Sequence, residues 1–224
     1  MMSLILLIDC AGEQASVHLG EDTVCIGSSF NNSQKDHAAW VHQAIENLLE
    51  QCGKKMSELS AVAVTEGPGS YTGLRVAMST AKGICFALQV PLIVVNSLKL
   101  MAANAVRISG AKVDQIFIPM IDARRMEVFA AAYNSSLQEI MEASPIVLTI
   151  DSFSVLKGFS NLVFTGSGAA KWMKICEMEH AMELPLEMNG QTFLELAFQK
   201  YDKKDFADLA YAEPYYLKEF YNNQ

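Results

Sequence analysis

Residues 61–96 read AVAVTEGPGSYTGLRVAMSTAKGICFALQVPLIVVN. The apolar run 61–65 has the composition of a strand buried on both faces of a sheet. Gly67-Pro68-Gly69 breaks it, because glycine reaches backbone angles closed to other residues and proline removes a donor. Ser70 or Thr72 can cap the helix that follows, which runs to about Leu88 and stops before Pro91. Residues 92–95 form the next strand. The unit is βαβ, and its two strands are parallel with a right-handed crossover.

Working outward, residues 4–8, 16–19 and 24–27 are three short strand-like runs joined at Gly12 and at Gly20-Glu21-Asp22, a meander. Residues 36–51 form a helix with Ala38, Val41, Ile45, Leu48 and Leu49 on one stripe, ended by Gly53. The order βββαβαβ is ribonuclease H-like. A helix at 97–106 follows, then a second meander-like start (116–121, 127–133, 146–148), a helix at 153–156, a strand at 162–165 and a helix at 169–175. One more helix spans 192–200. Two strand starts, each closing on an aspartate (Asp9 and Asp122), suggest two lobes of related topology. Residues 1–98 are read as the first lobe and 99–202 as a smaller second one, with the tail, about 203–224, packing back on the first.

The 224 residues are 51% hydrophobic and 19% charged, which excludes a disordered chain. The net charge of −8 disfavours direct, independent nucleic-acid binding, since a phosphate-gripping surface is normally basic. Cys10, Cys25, Cys52, Cys85 and Cys176 never fall in CxxC spacing and sit mostly in apolar runs, as reduced thiols of a cytoplasmic protein do. LILLI at 4–8 is too short for a signal-peptide core, and no segment approaches the roughly 20 apolar residues of a membrane span. The expected location is the cytoplasm.

No catalytic constellation is complete. Asp9 and Asp122 end strands where actin-like ATPases hold Mg²⁺ and phosphate. The loops that follow, CAGEQ and ARRM, lack the Gly, Ser and Thr that present amides and hydroxyls to phosphates. Gly166 and Gly168 in TGSGA are either a nucleotide-facing loop or a plain strand-to-helix turn. Among His18, His37, His42 and His180, the closest pair on a helix, His37 and His42, lies roughly 140° apart and cannot hold a metal jointly; His37 caps or lines its helix start. Ser70 sits in GPGSY, which is not a nucleophile elbow, and the turn has no P-loop lysine. The rival reading as an actin-like ATPase or phosphotransferase rests on Asp9 and Asp122 alone, and a peptidase reading has no base for its serine.

Two features point to association. Gly73, Ala77 and Ala81 recur every four residues with Thr80, Gly83 and Ala87 nearby, so this face of the 72–88 helix either packs closely on its own sheet or admits a helix from another protein. Trp40 lies on the order of 115° from the apolar stripe of its helix, which makes it either an interface anchor or an edge residue of its own core.

The stretches GPGSYTGLR, AKGICFAL, VVNSL and DARRMEVFAAAY, with the DHAAWVHQAIENLL helix and the terminal Pro214, Tyr216 and Leu217, closely resemble the TsaB (YeaZ) family over nearly the full length. The most specific part is Gly67, Pro68, Gly69, Ser70, Tyr71, Thr72, Gly73, Leu74 and Arg75. The resemblance implies an actin-like, two-lobed α/β fold with a reduced second lobe. It further implies a non-catalytic scaffold or activator that dimerises with a TsaD-like paralogue for N6-threonylcarbamoyladenosine formation at position 37 of tRNAs. A TsaE-like ATPase joins that pair, ATP and metal stay on the partner subunits, and tRNA is reached only through the complex. In this family the two first-lobe helices carry the contact, here by way of His37, Trp40, Val41, Ala44, Gly73, Val76, Ala77, Thr80, Ala81 and Ile84. A homodimer through the same helices is the expectation when the partner is absent. Two departures stand out: Cys10-Ala11 where many members have Thr-Ser, and Lys218 where arginine is usual, which loses the bidentate fork.

Overall fold

The computed structural model describes residues 2–32, 37–110 and 114–218. Asp36, expected to open the first helix, and 219–224 of the expected tail lie outside these residues, as does the side chain of His37. The chain divides into two compact units, Met1–Ser97 with Asn189–Tyr215, and Leu98–Met188 with Tyr216–Gln224.

In the first unit, β1 (Leu4–Asp9), β2 (Ala15–Glu21) and β3 (Val24–Asn31) form the antiparallel meander. Helix α1 (His37–Gln51) leads to β4 (Ala61–Gly67), which lies parallel to β1. Helix α2 (Tyr71–Leu88) returns the chain to β5 (Leu92–Asn96), parallel to β4. The sheet order is β3-β2-β1-β4-β5. All six residues of β1 are buried because it is the central strand, and their alternation feeds both faces. Leu4, Leu6 and Ile8 join Val17, Leu19, Val62 and Val64 in a core against α1 and α2.

The second unit repeats the plan. Helix α3 (Ser97–Ser109) leads in, then β6 (Gln115–Asp122), β7 (Glu127–Asn134) and β8 (Glu139–Val147) form the meander, followed by β9 (Asn161–Thr165), the short α4 (Ala169–Met173) and β10 (Ala181–Leu184). The order β8-β7-β6-β9-β10 is that of the first sheet, strand for strand. Two copies of a ribonuclease H-like sheet, the second with shorter crossover helices, are the actin-like architecture. The core on one face gathers Phe153, Phe164 and Trp172, with ring centroids 5.1–5.9 Å apart. The other face packs Leu98, Met101, Ala102 and Ala105 of α3 on Phe117, Ala131 and Val163.

Helix α5 (Gly190–Asp202) departs from the expected boundary at 202. It belongs to the first unit and covers the sheet face opposite α1 and α2. The reason lies in β2. Val17 and Leu19 point at α1 and α2, so Ser16, His18 and Gly20 point at α5. A Cβ on Gly20 would lie 2.6 Å from Leu194 Cδ2, and Phe193 meets the His18 ring edge-on at 6.4 Å. Gln191 ties the helix to the edge strand, accepting from Cys25 N at 2.9 Å and donating to Thr23 O at 2.8 Å. The tail continues on the same unit as far as Tyr215, with Ala207 N donating to Leu92 O and Tyr215 N to Glu66 O; from Tyr216 the chain groups with the second unit, so the expected tail of about 203–224 belongs to the first only in part. Strand β8 starts well before the expected 146, because the Asn134–Leu137 turn returns the chain at once.

The His18 imidazole is buried, its Nδ1 2.8 Å from Ser28 Oγ and its Nε2 3.0 Å from Ser16 Oγ. Burial holds its pKa down to about 4. The unfolded chain therefore takes up a proton near pH 6.5 that the fold refuses until about pH 4. Stability attributable to this group is intact above pH 6.5 and falls as pH drops toward 4, by roughly 3 kcal/mol. Urea titrations across this range should show that slope, and His18→Gln should flatten it; an unchanged slope in the variant would assign it elsewhere.

Candidate functional site

The GPGSYTG turn is shaped by what surrounds it. Gly67 has φ +120°, and a Cβ there would lie 2.5 Å from the Tyr215 carbonyl oxygen. A Cβ on Gly69 would sit 2.8 Å from that of Ala11, and one on Gly73 would overlap the Cys10 carbonyl oxygen. Ser70 N donates to Ala11 O at 2.7 Å, and Ser70 Oγ caps α2 by accepting from Gly73 N at 3.3 Å. Ser70, not Thr72, is the cap, and its hydroxyl has this structural task. Leu74 is fully buried, and the Arg75 guanidinium lies 3.9 Å over the Tyr71 ring. The motif thus seats the turn and the start of α2 on the Cys10–Ala11 segment that leaves β1.

Asp9 is buried, and its Oδ1 accepts from Ala11 N at 2.9 Å and from Thr65 Oγ1 at 2.7 Å. Cys10 beside it is fully buried, and burial reinforced by the Asp9 charge pushes its thiol up to about 12, which keeps it protonated and unreactive. Thr65→Val should lower stability by about 1.5–3 kcal/mol, the worth of a hydrogen bond to a charged group, with Asp9→Asn in the same background adding little. A neutral Thr65→Val in chemical denaturation would show that Asp9 does not depend on this bond.

In the second unit Asp122 is exposed at the end of β6. Its Oδ1 accepts from Lys171 Nζ and from Arg124 N, both at 2.6 Å. Burial works to raise its pKa, but these contacts outweigh that and hold it below the ordinary value. Lys171 also donates to Arg125 O at 2.6 Å, clamping a turn in which Arg124 and Arg125 both have positive φ. Neither residue is of the Asn-Gly kind that such turns favour, and each strained non-glycine costs on the order of 1–3 kcal/mol. Gly166 and Gly168 are packing residues of the strand-to-helix turn. Gly166 has φ +94°, Gly168 N donates to Met120 O, and a Cβ on Gly168 would lie 2.8 Å from Val128 Cγ1. None of these residues lines the open cavity of about 430 Å³ in this unit, which has Asp151, Lys157, Glu177, Glu179 and His180 in its wall. Among the described residues no three His, Cys, Asp or Glu side chains could jointly hold a metal ion, and no helix is long and apolar enough to cross a membrane.

Apart from His37, the helix residues singled out in the sequence lie on the inner side or at its border. Val41, Ala44, Gly73, Ala77, Thr80 and Ala81 are buried, while Trp40, Val76 and Ile84 are partly buried against the core of their own unit. The four-residue spacing of Gly73, Ala77 and Ala81 therefore serves close approach of α2 to its own sheet, and Trp40 is an edge residue. The outward face is a different set: His42, Gln43, Glu46 and Asn47 on α1, and Arg75, Ser79, Gly83 and Phe86 on α2. A Cβ on Gly83 would meet nothing within 4 Å, and Phe86 is 72% exposed. The apolar spacing of Leu74, Met78 and Cys85 carried the signal that would have turned Ser79 and Gly83 outward.

A family model described as TsaD, tRNA N6-adenosine threonylcarbamoyltransferase, matches residues 28–218. The tRNA threonylcarbamoyladenosine biosynthesis protein TsaB of Bacillus subtilis is 31% identical over 156 residues, 68% of this chain and 66% of that one. The protein of the same name from Escherichia coli K12 is 27% identical over 221 residues, 96% and 94% of the two chains. The solved structure of YeaZ from Pseudomonas aeruginosa superposes with a TM-score of 0.80 at 27% identity, covering 96% of this chain and all of that one.

Proposed function

Because the chain belongs to the TsaB (YeaZ) family, we propose that it serves threonylcarbamoyladenosine biosynthesis as a non-catalytic subunit. In this reading it dimerises with a TsaD-like enzyme through the outward face of α1 and α2 and makes that enzyme competent to modify adenosine 37 of tRNA. The observation that carries the reading is the face itself: Ser79 and Gly83 leave a shallow track on α2, with Phe86 standing exposed at its end. Small side chains let a second helix come within about 8–10 Å, and an exposed aromatic supplies an anchor. The non-catalytic part is supported by Asp9, whose carboxylate is engaged by Ala11 and Thr65, and by Ser70, which caps a helix.

In the same reading a TsaE-like ATPase joins the pair, ATP and metal reside on the partner subunits, tRNA is met through the complex, and the free chain pairs with itself by the same face. The test is reconstitution of tRNA threonylcarbamoylation from TsaD-like and TsaE-like proteins and preformed threonylcarbamoyl-adenylate. Product that appears only when this chain is added, the chain alone being inert, supports the proposal. Equal product without it, or ATP turnover by the chain alone, overturns it.

A further inference from the structure

The tail does more than cover the first unit. Between its anchor on Leu92 and its anchor on Glu66, it makes a tight turn at 208–212. Asp208 Oδ1 accepts from Ala210 N at 2.8 Å and Tyr211 N at 3.4 Å, and Ala212 N donates back to Asp208 O at 2.8 Å. Lys82 of α2 clamps this turn, donating to Ala212 O at 2.8 Å and Ala210 O at 3.3 Å. Held at the tip between those two carbonyls is Tyr211, 83% exposed. One helical turn beyond Lys82 stands Phe86, 72% exposed; these are the two most exposed aromatic side chains among the described residues. A large aromatic left in water on a backbone ordered by five hydrogen bonds is preorganised, and preorganised aromatics are what interface anchors are made of.

We propose that the Tyr211 turn and Phe86 form one docking patch, continuous with the outward face of α2, for the TsaD-like partner. The inference rests on the partner reading above and extends the contact surface to the tail. Size argues for that occupant. Helices of 15 and 18 residues are about 22 and 27 Å long and roughly 10 Å broad, so their outward faces give a footprint of about 490 Å². A standard interface takes about 800 Å² from each partner. The two helix faces alone fall short of that figure, and the 208–212 turn, held beside α2 by Lys82, is adjoining surface that adds to them. Charge argues the same way. The Lys82 ammonium is spent on the tail carbonyls, so between Tyr211 and Phe86 it is an engaged cation, in keeping with the depletion of free charge at interface centres.

The experiment measures affinity for the purified TsaD-like partner by titration calorimetry, with melting temperature followed for each variant. Tyr211→Ala and Phe86→Ala should each raise Kd at least fivefold and together at least twentyfold, with melting temperatures unchanged. Lys82→Met, which keeps the stem and frees the turn, should shift Kd in the same direction. Val155→Ala, at a 73% exposed position of the second unit, should change nothing. If the unaltered chain binds and Tyr211→Ala stays within fivefold of it, the patch is refuted; a loss on Phe86→Ala alone then leaves the helix-face reading standing, and no loss on either variant removes the anchor of that reading as well. If Val155→Ala weakens binding as much, the effect is not local and the patch is likewise refuted. If the unaltered chain does not bind, both readings fall together.

Discussion

Gly83→Trp should lower affinity for the TsaD-like partner by a hundredfold or more while leaving the fold at least as stable as before. The position is exposed, and no atom lies within 4 Å of where its Cβ would stand, so the indole enters solvent in the free chain. Replacing an interior helical glycine also gains a few tenths of a kcal/mol in helix propensity. In the proposed seam, with helix axes about 8–10 Å apart, a side chain of 150–250 Å² would have no room. A hundredfold loss corresponds to about 2.7 kcal/mol, well within what a misfit anchor removes. Calorimetric titration and a thermal melt on the same sample decide it. Wild-type affinity in the variant would move the partner off this face. The same bulk at Ala77 gives a different result. That position is fully buried in the unit's own core, so Ala77→Trp overpacks that core and destabilises the fold instead of testing the contact.

The contrast between positions 77 and 83 shows how far the chain could be read unaided. The βαβ unit, the meander before it and the second sheet start were legible because buried strands and amphipathic helices differ in period. The inner and outer faces of α2 were not separated, since small residues four apart mark close approach without saying to what. The structure answers with Cys10, whose carbonyl occupies the space over Gly73. The engagement of Asp9 by Thr65, 56 residues away, was equally out of reach of any local pattern.

Helix α5 shows the same limit at the level of the domain. Phe193 and Leu194 announce a buried face, but nothing in an apolar stripe names the sheet that will receive it. The match is made in β2, where His18 and Gly20 leave the hollow those two side chains fill. The strand read too short, β8, and the strand missed, β10, are both edge strands. β8 carries Pro145 and the exposed Glu139 and Glu142, and β10 is four residues long with two of them exposed, the devices by which sheet borders avoid further pairing. What protects an edge also hides it from pattern reading.

Gly73→Ala and Gly83→Ala make one substitution on one helix and should move stability in opposite directions. At Gly83 the added methyl meets open space, and alanine in a helix interior is better than glycine by up to about 1 kcal/mol. For a chain of this length that raises the melting temperature by about 2–4 °C. At Gly73 the methyl is driven into the Cys10 carbonyl oxygen and lies 3.3 Å from Ser70 Cβ. The first obstacle is backbone at the end of the central strand, which cannot swing aside as a side-chain tip would. Either α2 withdraws from the strand or the strand end shifts. The latter disturbs Ala11, whose amide holds Asp9 and whose carbonyl holds Ser70. Overpacking of this kind costs about 1–3 kcal/mol, and a melting temperature lower by several degrees should follow. Equal and small shifts in the two variants would mean that the motif glycine is not there for close approach, and the structural account of GPGSYTG would have to be rebuilt from Gly67 and Gly69 alone.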